Sequence, residues 1–291
     1  MFVTHGRAAA ADRRRLLDWY EPRRDAYPWR TEPPDPYLVL VSEVMLQQTQ
    51  APRVAPIFES FVARLPDVRA LAGARRSDVI VAWAGLGYHR RAVALHRAAL
   101  MIVDEHRAEV PREVDALRAL PGVGPYTASA VASIAYGVPT AAVDTNVRRI
   151  AARYLFGLEA DEAASGDLGR AADAWVPRAR PGDWNQALMD LGREVCRPRP
   201  RCDVCPFRGC RFRAADRPGG PSSRRRPAFE GSLRQVRGRV LAVLRASSSV
   251  SEAGLVEDLA EPPERVAAAV AGLVRDGLAA ADRDGRISLA P

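Results

Sequence analysis

The sequence predicts an all-α protein whose C-terminal end carries a small α+β domain. Apolar residues recur at helical spacing through the first 210 residues, where no alternating strand pattern occurs. Beyond residue 231, three helical stretches are predicted, over 232–247, 251–260 and 262–275. They precede a segment that alternates around the Asp284-Gly285 turn, which is typical of a β-hairpin. Three helices and a hairpin predict a winged-helix-like domain over 232–291.

Composition limits the class of protein. A chain of 291 residues, 47% of them hydrophobic, has room for two or three domains with a sizeable core. It contains no apolar run of about 18 residues, so no membrane-spanning segment is expected. The first residues lack the apolar core of a secretory signal. We therefore expect a cytoplasmic protein, and we expect it to be a monomer.

The charge favours a polyanionic partner. The chain carries a formal net charge of +8 at pH 7 and has a pI near 9.9. All 43 basic residues are arginine, and lysine is absent. Because no side chain carries an amine, Schiff-base lyase chemistry is excluded unless the N-terminal amine supplies it.

The first 210 residues predict a series of short helices. The Pro-rich stretch 31–36 separates the first predicted helix from the second, and Pro52 and Pro56 end the second. Helices are predicted over 11–20, 37–63, 67–84 (a pair), 91–106, 113–119, 147–155, 167–176 and 184–192.

One carboxylate lies inside the second helical run. Glu43 stands among Leu40, Val44 and Ile57, which belong to a core. An unpaired carboxylate is costly to bury, so Glu43 is either satisfied by hydrogen bonds or functional. Both interpretations fit the sequence equally well, because buried acids also serve structure.

A Gly-x-Gly turn combines an aromatic ring with two arginines. Gly85 and Gly87 are followed by Tyr88, Arg90 and Arg91. Rings and guanidinium groups at a turn suit stacking on bases and pairing with phosphates. A helix C-cap with a solvated basic face is the commoner explanation of such a pattern.

A second turn offers backbone N–H groups that can bind a phosphate, and an acidic residue follows it in the sequence. Gly122 and Gly124 follow Pro121 and precede a helix rich in Ala and Ser, so N–H groups at a helix N-terminus can hold a phosphate. Asp144, about twenty residues later, lies at the start of the next helix. A tight connection between helices and an ordinary N-cap are the structural alternatives.

The cysteines form one cluster with the spacing Cys196-x5-Cys202-x2-Cys205-x4-Cys210. Clustering of this kind points to metal rather than to disulfides. Four thiolates can hold a 4Fe-4S cluster or a zinc ion. Only one Cys-x2-Cys pair is present, whereas structural zinc usually uses two, so the iron-sulfur cluster is favoured. Arginines crowd this loop against a single acid, Asp203, which suits contact with phosphates.

Residues 214–231 are rich in Pro, Gly, Ser and Arg and predict a flexible basic linker. In the segment beyond it, acidic and basic residues nearly balance. The winged-helix-like domain could therefore contact DNA or a protein.

Six motifs carry a family resemblance. They are Pro28-Trp29-Arg30, Ser42-Glu43-x-Met45-Leu46-Gln47-Gln48-Thr49-Gln50, Ala84-Gly85-Leu86-Gly87-Tyr88, Leu120-Pro121-Gly122-Val123-Gly124-x-Tyr126-Thr127, Val143-Asp144-x-Asn146-Val147-x-Arg149 and Asn185-Gln186-Ala187-x-Met189-Asp190-Leu191-Gly192. Over about residues 16–212 the chain resembles the MutY-type adenine DNA glycosylases of the helix-hairpin-helix superfamily. The hairpin and the aspartate occur throughout that superfamily, whereas the Met-Leu-Gln-Gln-Thr block with its Glu is far more specific.

The resemblance implies a helix-hairpin-helix DNA glycosylase fold of two helical lobes and a 4Fe-4S cluster on the four cysteines. The cysteine spacing is one residue shorter in two gaps than the usual x6, x2, x5. The tail is too short for the domain related to Nudix hydrolases that reads 8-oxoguanine in many members, and it resembles the tail of actinobacterial members. The implied organisation is a core over 1–213 (a six-helix lobe over about 31–140 and an iron-sulfur lobe over about 1–30 and 141–213), a linker over 214–231 and the tail over 232–291.

The resemblance also implies roles for individual residues. Glu43 would protonate the extruded adenine at N7. Asp144 would stabilise the oxocarbenium ion or bond to the sugar, supported by Tyr126 and Asn146. Burial would raise the pKa of Glu43, and the helix N-terminus would lower that of Asp144. The residues implied to contact DNA are Gln48 and Tyr88 as duplex wedges, Gly122 and Gly124 in the hairpin, and Trp29, Arg30, Leu46 and Gln186 in the base pocket.

The implied activity is that of a monofunctional glycosylase of base excision repair. It would act on double-stranded DNA, excise adenine opposite 8-oxoguanine or guanine, and leave an abasic site. Tyr126 takes the place of the Schiff-base lysine of the bifunctional endonuclease III relatives. Two alternatives are a G·T mismatch thymine glycosylase, against which the block Leu46-Gln47-Gln48-Thr49 argues, and a non-catalytic iron-sulfur DNA-binding protein.

Overall fold

The computed structural model describes residues 7–24, 27–220 and 229–291, so part of the predicted linker, 221–228, lies outside the described residues. The chain divides into two compact units, each built from two separate segments. Unit one consists of Met1–Val44 and Val110–Ser223, and unit two of Met45–Glu109 and Arg224–Pro291. The predicted boundaries at residues 30, 140 and 213 stay predictions.

Helices dominate the described part of the chain, as predicted. A 3₁₀ turn, Glu21–Arg23, and a π-helical turn, Ala152–Phe156, supplement them. The α-helices are α1 (Arg7–Tyr20), α2 (Pro36–Leu46), α3 (Ala51–Arg64), α4 (Val68–Gly73), α5 (Arg76–Ala82), α6 (Arg90–Glu105), α7 (Val114–Ala119), α8 (Pro125–Tyr136), α9 (Thr145–Ala151), α10 (Ser165–Trp175), α11 (Pro181–Glu194), α12 (Arg211–Ala214), α13 (Leu233–Ala246), α14 (Glu252–Leu259) and α15 (Pro263–Arg275). None of these helices is long and apolar enough to cross a membrane.

The predicted helix over 37–63 is two helices, so its proline boundaries were wrong. Helix α2 ends at Leu46, and Gln48 then adopts a left-handed backbone with φ of 60°. Pro52 lies in the first turn of α3, where its missing N–H has no intrahelical acceptor to lose. Pro56 lies inside α3 rather than at its end. The left-handed backbone of Gln48 separates α2 from α3, and the periodicity of apolar residues in the sequence gives no sign of this conformation.

Unit one has a core in which aromatic rings join helices to the cysteine loop. Tyr154 of the π-helical turn stacks on Trp175 with ring centroids 4.6 Å apart, and Trp175 meets Trp184 edge-on at 4.9 Å. Phe207, from the cysteine loop, packs 4.7 Å from Tyr154 and is 2% exposed. Each aromatic ring of this size buries a large apolar area. The cysteine loop is therefore held by the core of its own unit.

Close approach of two helices explains the small residues of α8. Six of the seven residues from Thr127 to Ser133 are Ala, Ser or Thr, and all seven are buried. Gly182 of α11 faces this helix, and a Cβ there would lie 2.8 Å from Ile134 Cα and 2.9 Å from the Ser133 carbonyl oxygen. Any larger residue at position 182 would push the two backbones apart. This contact sets the distance between the helices that carry Tyr126 and Asp190.

Unit two contains the predicted hairpin, and the hairpin belongs to a three-stranded antiparallel sheet. Its strands are β1 (Val250–Ser251), β2 (Ala279–Ala281) and β3 (Arg286–Leu289), in the order β1-β3-β2. Strand β1 is two residues long, too short to show a period, and it occupies part of the predicted helix over 251–260. Ser251 then caps α14 by accepting a 3.1 Å bond from the Gly254 N–H. In the described residues, strands occur only after residue 249.

The helices of the C-terminal segment share one core with α5 and α6 of unit two. Val236 and Leu241 of α13 and Leu273 of α15 are buried in a cluster that also contains Ile80 and Val93. Burying apolar side chains at such a contact contributes roughly 25 cal/mol per Å² of area removed from water. The winged-helix-like segment is therefore packed against residues 76–105.

Candidate active site

Unit one contains a buried carboxyl group. Glu43 on α2 is 5% exposed, and the hydroxyl of Tyr126, in the first turn of α8, donates a 2.8 Å hydrogen bond to its Oε2. Burial raises the pKa of Glu43 to about 7. The Tyr126 bond lowers it, nearby Asp144 raises it further, and Arg30 lowers it. A carboxyl group with this pKa can hold a proton at neutral pH and release it.

Asp144 is close enough to Glu43 for its charge to raise the pKa of Glu43, and it caps helix α9. Its Oδ1 accepts a 2.6 Å bond from the Val147 N–H, and its Oδ2 accepts a 3.0 Å bond from the Asn146 side-chain amide. We predicted that the helix N-terminus would lower its pKa, and that prediction was wrong. Burial raises the pKa of Asp144, and this outweighs the lowering by the bonds from Val147 and Asn146 and by Arg149. The dipole at the helix N-terminus favours the Asp144 anion, but the carboxylate has lost most of its water, and this loss disfavours the anion more strongly.

Tyr126 was predicted to support Asp144, but it forms its hydrogen bond with Glu43 instead. Its hydroxyl donates to Glu43 and also lies 3.4 Å from Met189 Sδ. Burial, followed by the charges of Glu43 and Asp144, raises the pKa of Tyr126 well above its ordinary value, so the phenol stays protonated. A phenol has one proton to donate, and here it goes to Glu43. Asn146 does support Asp144, as predicted.

A hydrogen-bond network runs from Asp144 to the first cysteine. Arg149 donates from Nη2 to Asn146 Oδ1 at 2.9 Å and to the Gly192 carbonyl at 2.9 Å, and from Nε to the Cys196 carbonyl at 2.7 Å. A Cβ on Gly192 would lie 2.5 Å from Asn146 Cβ, so only glycine fits there. Asp144, Asn146, Arg149 and the cysteine loop therefore hold one another in place.

Three of the predicted pocket residues come together in unit one. Trp29, Arg30 and Gln186 line one cavity together with Tyr20. Both Nη atoms of Arg30 lie 3.0 Å from Asp190 Oδ2, in an ion pair whose two side chains are less than 10% exposed. The Tyr20 hydroxyl donates a 2.6 Å bond to Gln186 Oε1. Sequence reasoning missed Tyr20 and Asp190 as site residues, although Asp190 stands in the motif that contains Gln186.

Three other predicted DNA contacts, Leu46, Gln48 and Tyr88, lie in unit two. Leu46 is the last residue of α2, and Gln48 and Tyr88 are exposed residues with φ of 60° and 46°. A left-handed backbone is uncommon for a residue other than glycine, and such strain concentrates at functional sites. Both predicted wedge residues therefore hold a conformation that costs free energy.

Arg91 ties these two strained segments together. Its guanidinium donates to the carbonyls of Met45 (2.8 Å) and Gln47 and to the Thr49 hydroxyl (3.1 Å), and on the other side to the Gly87 carbonyl (3.3 Å). Its Cζ also lies 5.3 Å from the centroid of the Tyr88 ring. Burial lowers the pKa of Arg91 to about 10, so it remains charged at neutral pH. The sequence showed Arg91 only as one of two basic residues after the turn.

Gly122 and Gly124, the two glycines of the hairpin, differ in whether the backbone conformation requires glycine. Gly122 has φ of 79°, which the turn requires. Gly124 is the N-cap of α8 and has an ordinary extended backbone, with φ of −86° and ψ of 177°. A Cβ on Gly124 would meet no atom within 4 Å. The fold itself does not require glycine at position 124. The space that a side chain would occupy there, at the N-terminus of α8, is open to a ligand.

The four cysteines lie together in unit one. All four line one cavity of unit one, with Phe207 and Phe212 on its apolar walls. Among the described residues, no three His, Cys, Asp or Glu side chains converge closely enough to hold one metal ion. A tetrahedral zinc needs its thiolates about 2.3 Å from one centre, whereas a 4Fe-4S cluster presents its iron atoms at separate corners.

Two buried charges that sequence reasoning missed anchor the cysteine loop. Asp12 of α1 is 1% exposed and accepts bonds from the backbone N–H groups of Arg208 (3.0 Å) and Gly209 (2.7 Å) and from the Tyr154 hydroxyl (2.9 Å). Burial acts to raise its pKa, but these bonds lower it overall. Arg153, also 1% exposed, donates to the Pro198 carbonyl at 2.7 Å and lies 3.7 Å from Cys196 Sγ. The loop is thus positioned by ordinary hydrogen bonds at both ends.

Comparison with known proteins identifies the family. A model described as the HhH-GPD superfamily of base excision DNA repair proteins matches residues 41–167. A protein of Mycolicibacterium smegmatis described as an adenine DNA glycosylase is 44% identical over 278 residues, which cover 94% of this chain and 94% of that protein. The chain belongs to the adenine DNA glycosylase family. Family membership confirms the resemblance that the six motifs carried.

Solved structures agree with the helical fold. A thermostable thymine-DNA glycosylase matches with a TM-score of 0.61 and 31% identity, over 68% of this chain and 94% of that one. A trapped endonuclease III–DNA covalent intermediate matches with a TM-score of 0.59 and 24% identity, over 72% of this chain and 98% of that one. These matches confirm the predicted helix-hairpin-helix fold.

Proposed function

We propose that this protein is an adenine DNA glycosylase of base excision repair. It hydrolyses the N-glycosidic bond of adenine mispaired with 8-oxoguanine or guanine in double-stranded DNA and leaves an abasic site. The observation that carries the proposal is the electrostatic interaction in unit one between the buried carboxyl group of Glu43 and the partly buried one of Asp144. Glu43, with its pKa near 7, receives the Tyr126 hydrogen bond, and Asp144, whose charge helps to raise that pKa, is held by its cap.

The two carboxyl groups suit the two charges that develop in this reaction. Glu43 in its acid form donates its proton to N7 of the extruded adenine, and the C1′–N9 bond breaks with its electron pair leaving on the base. Asp144 in its anionic form stabilises the positive charge that develops at C1′. Water then adds to C1′ and returns a proton to the Glu43 carboxylate.

The absence of lysine supports a monofunctional enzyme. No side-chain amine exists to attack C1′, and Tyr126, at the position of the relatives' lysine, donates its proton to Glu43. We therefore propose that water is the nucleophile. Borohydride should trap no enzyme–DNA adduct.

We also propose that Cys196, Cys202, Cys205 and Cys210 hold a 4Fe-4S cluster. When bound, the cluster cross-links the loop, while Asp12 and Arg153 position the loop's backbone for it. Broad visible absorption, with iron and sulfide in equal amounts, would support the assignment. A stoichiometric zinc content would contradict it.

A single-turnover assay with three duplexes tests the substrate. We expect release of adenine opposite 8-oxoguanine and opposite guanine, and no release of thymine opposite guanine. The third duplex is included because the thymine-DNA glycosylase is 31% identical to this chain. Release of thymine alone would make the protein a thymine glycosylase instead. Release of neither base would contradict the proposal that the protein is an enzyme.

Gly124→Ala should weaken duplex binding without harming the fold. The backbone there suits alanine and no atom lies within 4 Å of its Cβ, so the melting temperature should stay the same or rise slightly. A methyl group at the N-terminus of α8 would block the approach of a phosphate and cost about tenfold in affinity. Gly169→Ala on α10, where a Cβ also meets nothing, is the matched control. Equal affinities for both variants would show that the hairpin is only a helix connection.

A further inference from the structure

A large groove lies within unit two, where the C-terminal segment packs against the Gly85–Tyr88 turn. It has a volume of about 570 Å³, within the range of about 300–1,000 Å³ that is typical of ligand pockets. Residues 86–90 line one side, and the helices α13 and α15 line the other. The two sides belong to one compact unit and share one core. The groove is thus part of the packing of unit two.

The rim of the groove is positively charged. Arg53, Arg90, Arg234 and Arg237 line it against a single carboxylate, Asp276. Asp276 pairs with both Arg237 and Arg90, and the Arg90 side chain is 76% exposed. His89 adds no charge at neutral pH, because burial, followed by the charges of Arg245, Arg91 and Arg237, lowers its pKa to about 4. The rim therefore favours an anionic ligand.

The groove also offers aromatic rings above an apolar floor. Six large apolar side chains in the described part of the chain are exposed, and the two aromatic ones among them, Tyr88 (45%) and Phe229 (58%), both line this groove. The buried side chains of Leu86, Leu241 and Leu278 form its floor. Exposed rings beside arginines are the combination that binds unpaired nucleotides, through stacking and phosphate contacts.

We propose that this groove binds one unstacked nucleotide of the bound DNA, with its base on the rings and leucines and its phosphates on the arginine rim. The inference rests on the proposed function for the identity of the polymer. It gives the segment beyond residue 231 a direct part in DNA binding. An acidic peptide would satisfy the arginines, but it would not account for the exposed aromatic ring of Tyr88 on a strained turn.

Binding is measured in the Glu43→Gln background, so that the duplex stays intact. Fluorescence anisotropy gives Kd for a duplex with adenine opposite 8-oxoguanine and for a fully paired duplex, each across a range of salt concentrations. Phe229→Ala is compared with Leu233→Ala, an exposed residue four positions along the chain. Arg234→Ser is compared with Arg283→Ser, which removes the same charge from the exposed hairpin turn. Circular dichroism melting checks that each variant is folded.

We expect Phe229→Ala to weaken binding of the mispaired duplex at least about fivefold and that of the paired duplex much less. Arg234→Ser should reduce the slope of log Kd against log salt by about one, whereas the two control variants should match the background. Equal losses on both duplexes would overturn the assignment to an unstacked nucleotide. Unchanged binding and slope would overturn the DNA assignment and leave the groove to a protein partner. Neither result depends on adenine release, which tests the proposed function separately.

Discussion

Glu43→Gln should abolish adenine release while the protein still folds and binds its duplex. Gln has nearly the shape of Glu and can accept the Tyr126 hydrogen bond, but its amide N–H groups are not acidic enough to transfer a proton to the leaving base. Losing a general acid costs about 10²- to 10⁴-fold in rate. Single-turnover release from the duplex with adenine opposite 8-oxoguanine measures the effect. Glu59→Gln, at an exposed position on α3, is the control and should keep the full rate.

The pH profile of the wild type checks the same role. Because the acid form of Glu43 is the active one and its pKa is about 7, the rate should fall about tenfold per pH unit well above pH 7. It should also fall at acidic pH, where Asp144, whose pKa burial raises, takes up a proton and loses its negative charge. A rate that stays flat up to pH 9 would contradict the assignment. So would a Glu43→Gln variant that keeps more than a few per cent of the wild-type rate.

The raised pKa of Glu43 also makes the stability of the protein depend on pH. The pKa of Glu43 rises from its ordinary value of 4.5 to about 7 on folding, so the folded state binds more protons than the unfolded state between these values. The contribution of Glu43 to the free energy of unfolding is therefore fully present below pH 4.5 and falls as the pH rises through 7, by roughly 3 kcal/mol in total. Glu43→Gln removes this loss, so at pH 8 it should unfold at a higher urea concentration than the wild type.

Asp144→Asn should give the second-largest loss of activity. Asn caps helices about as well as Asp, so the bond from the Val147 N–H and the start of α9 should survive. The anion that stabilises the positive charge at C1′ is lost, at a cost of about 10²- to 10³-fold in the single-turnover rate. Duplex affinity should hold or improve, because one negative charge next to a polyanion is removed.

A second N-cap aspartate supplies the matched control for this variant. Asp67 caps α4 through a 2.8 Å bond from the Ala70 N–H and takes no part in the site. Asp67→Asn should leave the rate unchanged and alter the melting temperature about as much as Asp144→Asn does. If both variants keep the full rate, Asp144 is an ordinary cap and the assignment of the two carboxyl groups fails.

Much of the site could be predicted from the sequence because its signals are local. Cysteine spacing, the Gly-x-Gly turn and an aspartate just before a helical period occupy a few consecutive residues. Glu43 was singled out because its apolar neighbours predicted burial, and the structure places it at 5% exposure with a raised pKa. The sheet was predicted only as its hairpin, because the two residues of β1 show no period.

The pairing of donors and acceptors was decided by tertiary structure. Tyr126 lies closer in sequence to Asp144, yet it bonds to Glu43, eighty-three positions away. The pKa of Asp144 was predicted with the wrong sign, because its helix cap is visible in the sequence whereas the removal of water by distant segments is not.

The same limit explains the residues that sequence reasoning missed. Asp12 holds backbone groups about two hundred positions away, and Arg91 joins segments more than forty positions apart. The groove beside Tyr88 forms only when α13 and α15 pack against the 86–90 segment. By itself the sequence determined the family, the helices, the cysteine cluster and the two carboxyl groups. Only the tertiary structure decided which groups share hydrogen bonds, which lose water and which surfaces enclose a groove, because burial and long-range contact depend on residues far apart in the chain.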